Sequence, residues 1–253
     1  MNEAEELTRV SIVIPTLNEE RYLPSLLSSL TGIEHIDVIV VDGNSDDNTA
    51  SVVVSHTDRF IKSENGSSLR LIRTSVRNIA HQRNLGARAA RHPILFFLDA
   101  DVHMPSRAVF LELRREFLAR ELIVANPKFI PHPLDNHRFV FWGYAIMQIM
   151  QRLLLIIGKP IFGGACLITY RSLFDDIGGF DESLLLSEDA DFGRRASRRG
   201  KCGMLRSNVA TSTRRMKKIR IREALALALA IPGLVRNGRV SNSMIAHYGF
   251  GNH

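Results

Sequence analysis

The chain is poor in cysteine and tryptophan, with two of the former and one of the latter in 253 residues. Cys166 lies in an apolar run and Cys202 follows Lys201, so no disulfide framework staples the fold. No secretory signal opens the sequence, and with so few cysteines a reducing, cytoplasmic setting is expected. Long apolar runs are missing too. The uncharged run at 139–151 stops at Arg152, and 224–235 contains Pro232-Gly233, whereas spanning a bilayer takes roughly 20 apolar residues. There is no G-x-G-x-x-G and no G-x-x-x-x-G-K-[ST], which removes the dinucleotide fingerprint and the P-loop. Acidic residues are absent from 194–222, where twelve Lys and Arg stand. The net charge of +7 is therefore local, because the other 21 basic residues face 26 acidic ones. Such asymmetry predicts an anionic partner: a phosphate-bearing ligand, an anionic membrane or nucleic acid. No aromatic residue interrupts that basic segment, which argues against stacking on single strands and so against nucleic acid.

What is present reads as one α/β domain. Apolar residues make up 45% of the chain and charged ones 23%, and this length buries a core unaided. Apolar runs at 10–15 and 36–41 predict buried strands, and 69–73 and 59–62 predict weaker ones. Helical spacing marks 19–30, 48–55, 77–91 and 106–120; 121–130 reads as a strand and 162–169 as a turn feeding one. Small residues on one side of the 77–91 helix (Ala80, Gly86, Ala87, Ala90) predict close packing. The strand–helix alternation predicts a mostly parallel central sheet flanked by helices.

One stretch concentrates the chemistry. The apolar strand ending at Leu98, set between Pro93 and Pro105, runs into Asp99-Ala100-Asp101-Val102-His103. Ligands of open α/β sheets bind just outside the carboxyl ends of strands. On extended backbone Asp99, Asp101 and His103 share one side. Two neighbouring carboxylates repel, and a hard divalent cation relieves them. The same residues also read as the approach to a helix capped by Ser106, and His103 as a solvated loop histidine.

Six segments, in this order, resemble the family 2 glycosyltransferases: Val-Ser-Ile-Val-Ile-Pro-Thr-Leu-Asn-Glu at 10–19, Val-Val-Asp-Gly-Asn-Ser-Asp-Asp-Asn-Thr at 40–49, Arg-Asn-Leu-Gly-Ala-Arg at 83–88, Phe-Leu-Asp-Ala-Asp at 97–101, Gly-Gly-Phe-Asp-Glu at 178–182 and Ser-Glu-Asp at 187–189. The resemblance implies a GT-A fold over a single domain 1–253. Residues 8–105 would be its nucleotide-sugar half, 106–215 its acceptor half and 216–253 a basic amphipathic tail. It implies an inverting transfer from a nucleotide-diphosphate sugar to a glycan or lipid-linked acceptor. Pro15, Thr16, Glu19 and Asp42 would hold base and ribose, although Asp42 alone also reads as a turn former. Arg83 would lie near the donor, or on a solvated helix face. Asp99 and Ala100 would meet the ribose. Asp101, with His103, would bind Mn²⁺ or Mg²⁺ bridging the diphosphate. Asp189 would be the general base, with Glu188 beside it; the plain alternative is an acidic first turn favoured by the helix dipole. Arg214 and Arg215 would meet a phosphate, or be surface charge.

The Q-x-x-R-W motif of processive synthases is absent, which predicts transfer of one sugar. The apolar stretch 139–158 and the basic segment beyond Met216 predict a peripheral membrane enzyme; a core helix with solvated arginines is the alternative. Two other classes compete: a sugar-nucleotide pyrophosphorylase, disfavoured because Pro15-Thr16-Leu17-Asn18-Glu19 is not a Gly-rich loop, and a non-catalytic binding protein.

Overall fold

A computed structural model describes residues 8–62, 66–104, 106–132 and 138–213. The elements run β1 Val10–Thr16, α1 Leu23–Leu30, β2 Ile36–Asp42, α2 Thr49–Lys62, β3 Ser68–Arg73, α3 Ile79–Ala89, β4 Ile94–Leu98, β5 Val102–His103, α4 Arg107–Ala119, β6 Val124–Pro131, α5 Arg138–Ile156, β7 Cys166–Tyr170, α6 Arg171–Asp176, α7 Glu188–Ala196 and β8 Cys202–Thr211. Eight strands form one sheet in the order β3-β2-β1-β4-β7-β6-β8-β5.

The first four strands of that order are mutually parallel. Beyond β4 the sheet is mixed: β7 runs antiparallel to both β4 and β6, β8 is parallel to β6, and β5 is antiparallel to β8. The expected parallel character therefore holds for the first half and gives way at β4. The reversal matters because it sets Leu98 opposite Cys166, so the tip of β4 meets the turn that precedes β7. There the Asp99 N–H donates to the Ala165 carbonyl at 3.0 Å.

Every residue of β1, β2 and β4 is buried. Alternate side chains feed two cores, as expected for strands covered on both faces. Ile12, Val38 and Phe96 enter one with Leu26 and Phe110, while Val13, Ile39 and Phe97 enter the other with Ala80 and Ala87 of α3. The small face of α3 packs as its composition predicts: a Cβ added at Gly86 would lie 2.3 Å from a Val13 methyl.

Three boundaries differ from expectation. Residues 59–62 are the last turn of α2 and not a strand, since a short apolar run does not by itself distinguish the two. Residues 19–22 form turns, and α1 begins at Leu23 with Pro24 in its first turn. α3 is trimmed to Ile79–Ala89 because the Asn78 side chain caps it, accepting the His81 N–H at 2.9 Å. Ser106 caps α4 as read from sequence, accepting from Val109. The apolar 139–157 stretch is helix α5, and no helix among the described residues is long and apolar enough to cross a membrane.

At the sheet edge opposite the strand tips, Asp37 is buried and grips Arg70 in two hydrogen bonds, of 3.1 and 2.7 Å. Ser68 and Ser11 also donate to it. Burial pushes this carboxyl up, but the Arg70 guanidinium and the two hydroxyls leave it below its ordinary 3.8. Replacing Asp37 with Ala removes the carboxylate that Arg70 and both hydroxyls share, leaving Arg70 with the Ala89 carbonyl alone. We expect a loss of about 3 kcal/mol, at the low end for a broken buried pair because Arg70 stays partly in water. A carboxyl depressed in the folded state stabilises above its unfolded pKa, and the benefit is lost as pH falls through the folded value. Urea midpoints of wild type and Asp37→Ala should thus differ at pH 7 and converge at acid pH.

Candidate active site

The strand tips carry the site. At the ends of β1 and β2 the two following loops are laced together. The Thr16 hydroxyl donates to the Val41 carbonyl at 3.3 Å and to Asp42 at 3.4 Å, and the Ser45 hydroxyl reaches Asp42 at 2.5 Å. The Glu19 N–H donates to the Thr49 hydroxyl at 2.8 Å, and the Asp46 N–H to the Asn18 side chain at 2.8 Å. Gln82 of α3 closes the lacing, its amide donating to both the Thr16 and Val41 carbonyls. Thr16, Glu19 and Asp42 are all buried, and Pro15 pairs with Val41 within the sheet. Asp42 thus fulfils the turn-forming role that was its plainer alternative, accepting from the N–H and hydroxyl of Ser45.

Arg83 is the junction of the site. Its side chain is 2% exposed, so the solvated-face alternative is excluded. One guanidinium nitrogen donates to Glu188 at 2.5 Å; the other donates to Asp99 at 2.8 Å and to the Gly164 carbonyl at 3.1 Å. Burial opposes the charge, but Asp99, Glu188 and Asp189 overcome that and hold the guanidinium more firmly protonated than usual. This cation is directed at protein carboxylates. From sequence it is expected near the donor, where it would suit a phosphate; in the structure its terminal nitrogens are taken by Glu188, Asp99 and Gly164.

Asp189 lies half-buried in the first turn of α7. Burial and the neighbouring Glu188 raise its pKa from 3.8 to about 7, against Arg83 and the N–H groups of Ala190 and Gly164, which lower it. The Ala190 N–H lies 2.7 Å from the carboxylate. Ser187, the residue before α7, has a φ of 68° and makes no side-chain capping bond, so the turn and not a cap aims the acidic pair.

Asn84, next to Arg83, clasps the Gly178–Glu182 loop. It accepts from the Phe180 N–H, donates to the Phe180 carbonyl, and reaches Glu182 at 2.8 Å. Glu182 also meets His81 at 2.8 Å. Burial raises the Glu182 carboxyl, yet these two partners bring it below its usual value. Asn126 secures the glycine turn on the other side, accepting from the Gly163 N–H at 2.7 Å and donating to the carbonyls of Gly163 and Cys166. A β-bulge follows Asn126 in β6. Gly164 must remain glycine, since a Cβ there would lie 2.4 Å from the Arg83 guanidinium. Asn84, Asn126 and the role of Gly164 went unread in the sequence; only the Arg-Asn-x-Gly and Gly-Gly spacings signal them.

The D-A-D turn is folded tightly, with the Val102 N–H donating to the Asp99 carbonyl and Ala100 buried in the core. The Asp101 carbonyl accepts from the Ser212 N–H at 3.3 Å, tying the turn to the end of β8. His103 faces His132 at 5.0 Å between rings. Burial and that second imidazole lower its pKa, so it is neutral near pH 7, the form that ligates metals. No group of three His, Cys, Asp or Glu side chains poised for a metal occurs among the described residues. A carboxylate and a neutral imidazole fit a cation that takes its remaining ligands from phosphate oxygens and water. Pro105, Arg214 and Arg215 lie outside the described residues.

The profile of Glycosyl transferase family 2 matches residues 11–178. The chain belongs to that family. The chain is 30% identical over 196 residues to an uncharacterized glycosyltransferase of Haemophilus influenzae, covering 72% of its own length and 60% of the relative's. It is 39% identical over 98 residues to validoxylamine A glucosyltransferase of Streptomyces hygroscopicus, where it spans 22% of the longer protein. Among solved structures, a mannosyltransferase of Pyrobaculum calidifontis in complex with GDP-Man and Mn²⁺ superposes with a TM-score of 0.65 at 20% identity, covering 96% of this chain and 67% of that one. Glucosyl-3-phosphoglycerate synthase of Mycobacterium tuberculosis, with Mn²⁺, UDP and glucosyl-3-phosphoglycerate, gives 0.60 at 16% identity, covering 92% and 81%. These likenesses establish the GT-A fold for the chain. Its mixed sheet and the strand tips just described are that fold's frame.

Proposed function

We propose that the enzyme moves one sugar from a nucleotide-diphosphate sugar to a hydroxyl or phosphate acceptor, glycan or lipid-linked, with inversion and with Asp189 as general base. The observation that carries this reading is the Arg83 junction. A single buried cation ties the tip of β4, through Asp99, to the first turn of α7, through Glu188, and Asp189 is left beside it as the carboxylate with the raised pKa.

For a hydroxyl acceptor the step balances as one displacement. The acceptor oxygen bonds to the anomeric carbon as the bond from that carbon to the diphosphate breaks. The hydroxyl proton passes to an Asp189 carboxylate oxygen, and the nucleoside diphosphate departs with the bonding pair. A base with pKa near the working pH suits this role, and such groups contribute roughly 10²–10⁴-fold. The N–H groups of Ala190 and Gly164 fix the carboxylate's direction, while Glu188, held by Arg83, lies beside it and raises its proton affinity. Pro15, Thr16, Glu19 and Asp42 shape the wall for base and ribose, and Asp99 with Ala100 floors the pocket. Asp101 and His103 would hold Mn²⁺ or Mg²⁺, and a divalent ion there supplies neutralisation of charge on the diphosphate. Support for a metal comes from the solved relatives, whose complexes contain Mn²⁺.

The test is a thermal-shift screen of uridine and guanosine diphosphate sugars with Mn²⁺, followed by donor hydrolysis on the best binder. Asp101→Ala is expected to abolish the Mn²⁺-dependent shift and cut hydrolysis by about 100-fold or more, equivalent to several kcal/mol of charge stabilisation. Binding without turnover in wild type would favour the non-catalytic reading.

A further inference from the structure

We propose that the outward face of α5 docks on an anionic lipid bilayer. The helix has two apolar sides. On the inner side Tyr144 and Leu154 are buried, the Tyr144 hydroxyl meets the Thr211 hydroxyl at 2.7 Å, and Gln148 donates to the Phe129 carbonyl at 2.8 Å. On the outer side Trp142, Ile146, Ile149, Leu153 and Ile156 follow at spacings of four, three, four and three, each more than half exposed. Of the ten exposed large apolar side chains among the described residues, seven belong to this helix or to Ile157 just after it. Such clustering marks an interaction surface, whereas scattered singletons need no explanation.

The charge around the stripe selects the occupant. A seam between two copies at this spacing takes opposite charges at its flanks. Residues 138–174 contain no Asp or Glu, while Arg152 and Lys159 stand among them. The sequence that follows β8 has the same sign: 214–222 holds six Lys and Arg and no acidic residue. It begins three residues beyond Thr211, the residue bonded to α5. An apolar stripe headed by Phe141 and Trp142, on a helix whose charged residues are both arginines, matches a helix lying in the plane of an anionic membrane. Each basic residue near such a surface adds roughly 1 kcal/mol, screened by salt.

The placement also bears on the acceptor, a consequence that rests on the transferase reading. Gln148 of α5 bonds to Phe129, whose ring lies against Gly163, and the carbonyl of the next residue, Gly164, receives Arg83. A docked α5 therefore holds the catalytic edge close to the headgroups, and the acceptor class it favours is an amphiphile with its hydroxyl or phosphate at that level.

Co-sedimentation of the full chain with vesicles tests the proposal, using equimolar phosphatidylcholine and phosphatidylglycerol against phosphatidylcholine alone. The double variant Trp142→Glu with Ile149→Glu changes two exposed positions, and far-UV dichroism and melting check that it keeps the fold. We expect wild type to bind the anionic vesicles at least about tenfold tighter than the neutral ones, with loss at high salt. The double variant should bind about tenfold more weakly or worse. No binding by wild type overturns the proposal, as does equal binding by the variant. So does a wild-type dimer that the variant turns into a monomer without vesicle binding. Donor hydrolysis is read without vesicles, so failure here leaves the transferase reading intact, and failure there leaves the docking intact.

Discussion

Asp189→Asn is expected to keep donor binding and lose transfer by about 10²–10⁴-fold in kcat, because asparagine matches the side chain's shape but accepts no proton. The same substitution makes two further predictions of definite sign. With a base of pKa about 7, wild-type kcat/KM should climb with pH below neutrality and level off above it. The residual activity of the variant should lack that limb. Stability runs the other way. A carboxyl whose folded pKa is raised binds more protons folded than unfolded between 3.8 and about 7, so ionising it weakens the fold as pH rises through that window. Asparagine carries no such charge, and the variant should melt higher than wild type at pH 8 and not below pH 4. Equal loss of donor binding and transfer would contradict the role of base.

Arg83→Met is expected to be the most damaging single change in the site. It leaves Glu188 and Asp99 without their shared cation, and the Glu188 carboxylate is almost fully buried. Removing one partner of such a pair costs roughly 3–5 kcal/mol. Denaturant titration measures this directly. Lysine should not rescue it, for one ammonium cannot reproduce the fork that meets Glu188, Asp99 and the Gly164 carbonyl at once, nor the stacking over Phe180. Activity should fall in both variants, and in Arg83→Lys the pH limb of kcat/KM should move upward, since the nearest cation lowering Asp189 is displaced. A purely structural arginine would leave that limb where it was.

The strand tips were legible because their signals are local. Continuous apolar runs ending in Asp42 and Asp99 mark buried strands that stop on carboxylates, and the structure has both at tips. The small face of α3 was equally readable, as close helix–strand contact demands it. The partners of Arg83 were not. Which of many carboxylates meets a given guanidinium is decided by tertiary folding, here across 105 residues to Glu188. The direction of β7 was hidden for the same reason: an apolar pentapeptide reads alike in either sense, and only its pairing with β4 reveals the reversal. Asn126 looked like one polar residue in a strand, and its clasp on Gly163 exists only once β6 and β7 are neighbours.

The reversal at β4 has a consequence for how the molecule is made. The strands β1 through β4 lie within the first 98 residues, whereas the partners of Arg83, namely Asp99, Gly164 and Glu188, all come later in the chain. Translation must run past α7 before the two carboxylates and the glycine turn close around the guanidinium. A chain stopped short of that point lacks the carboxylate and the carbonyl that hold the guanidinium from the far side, so the junction closes only late in synthesis.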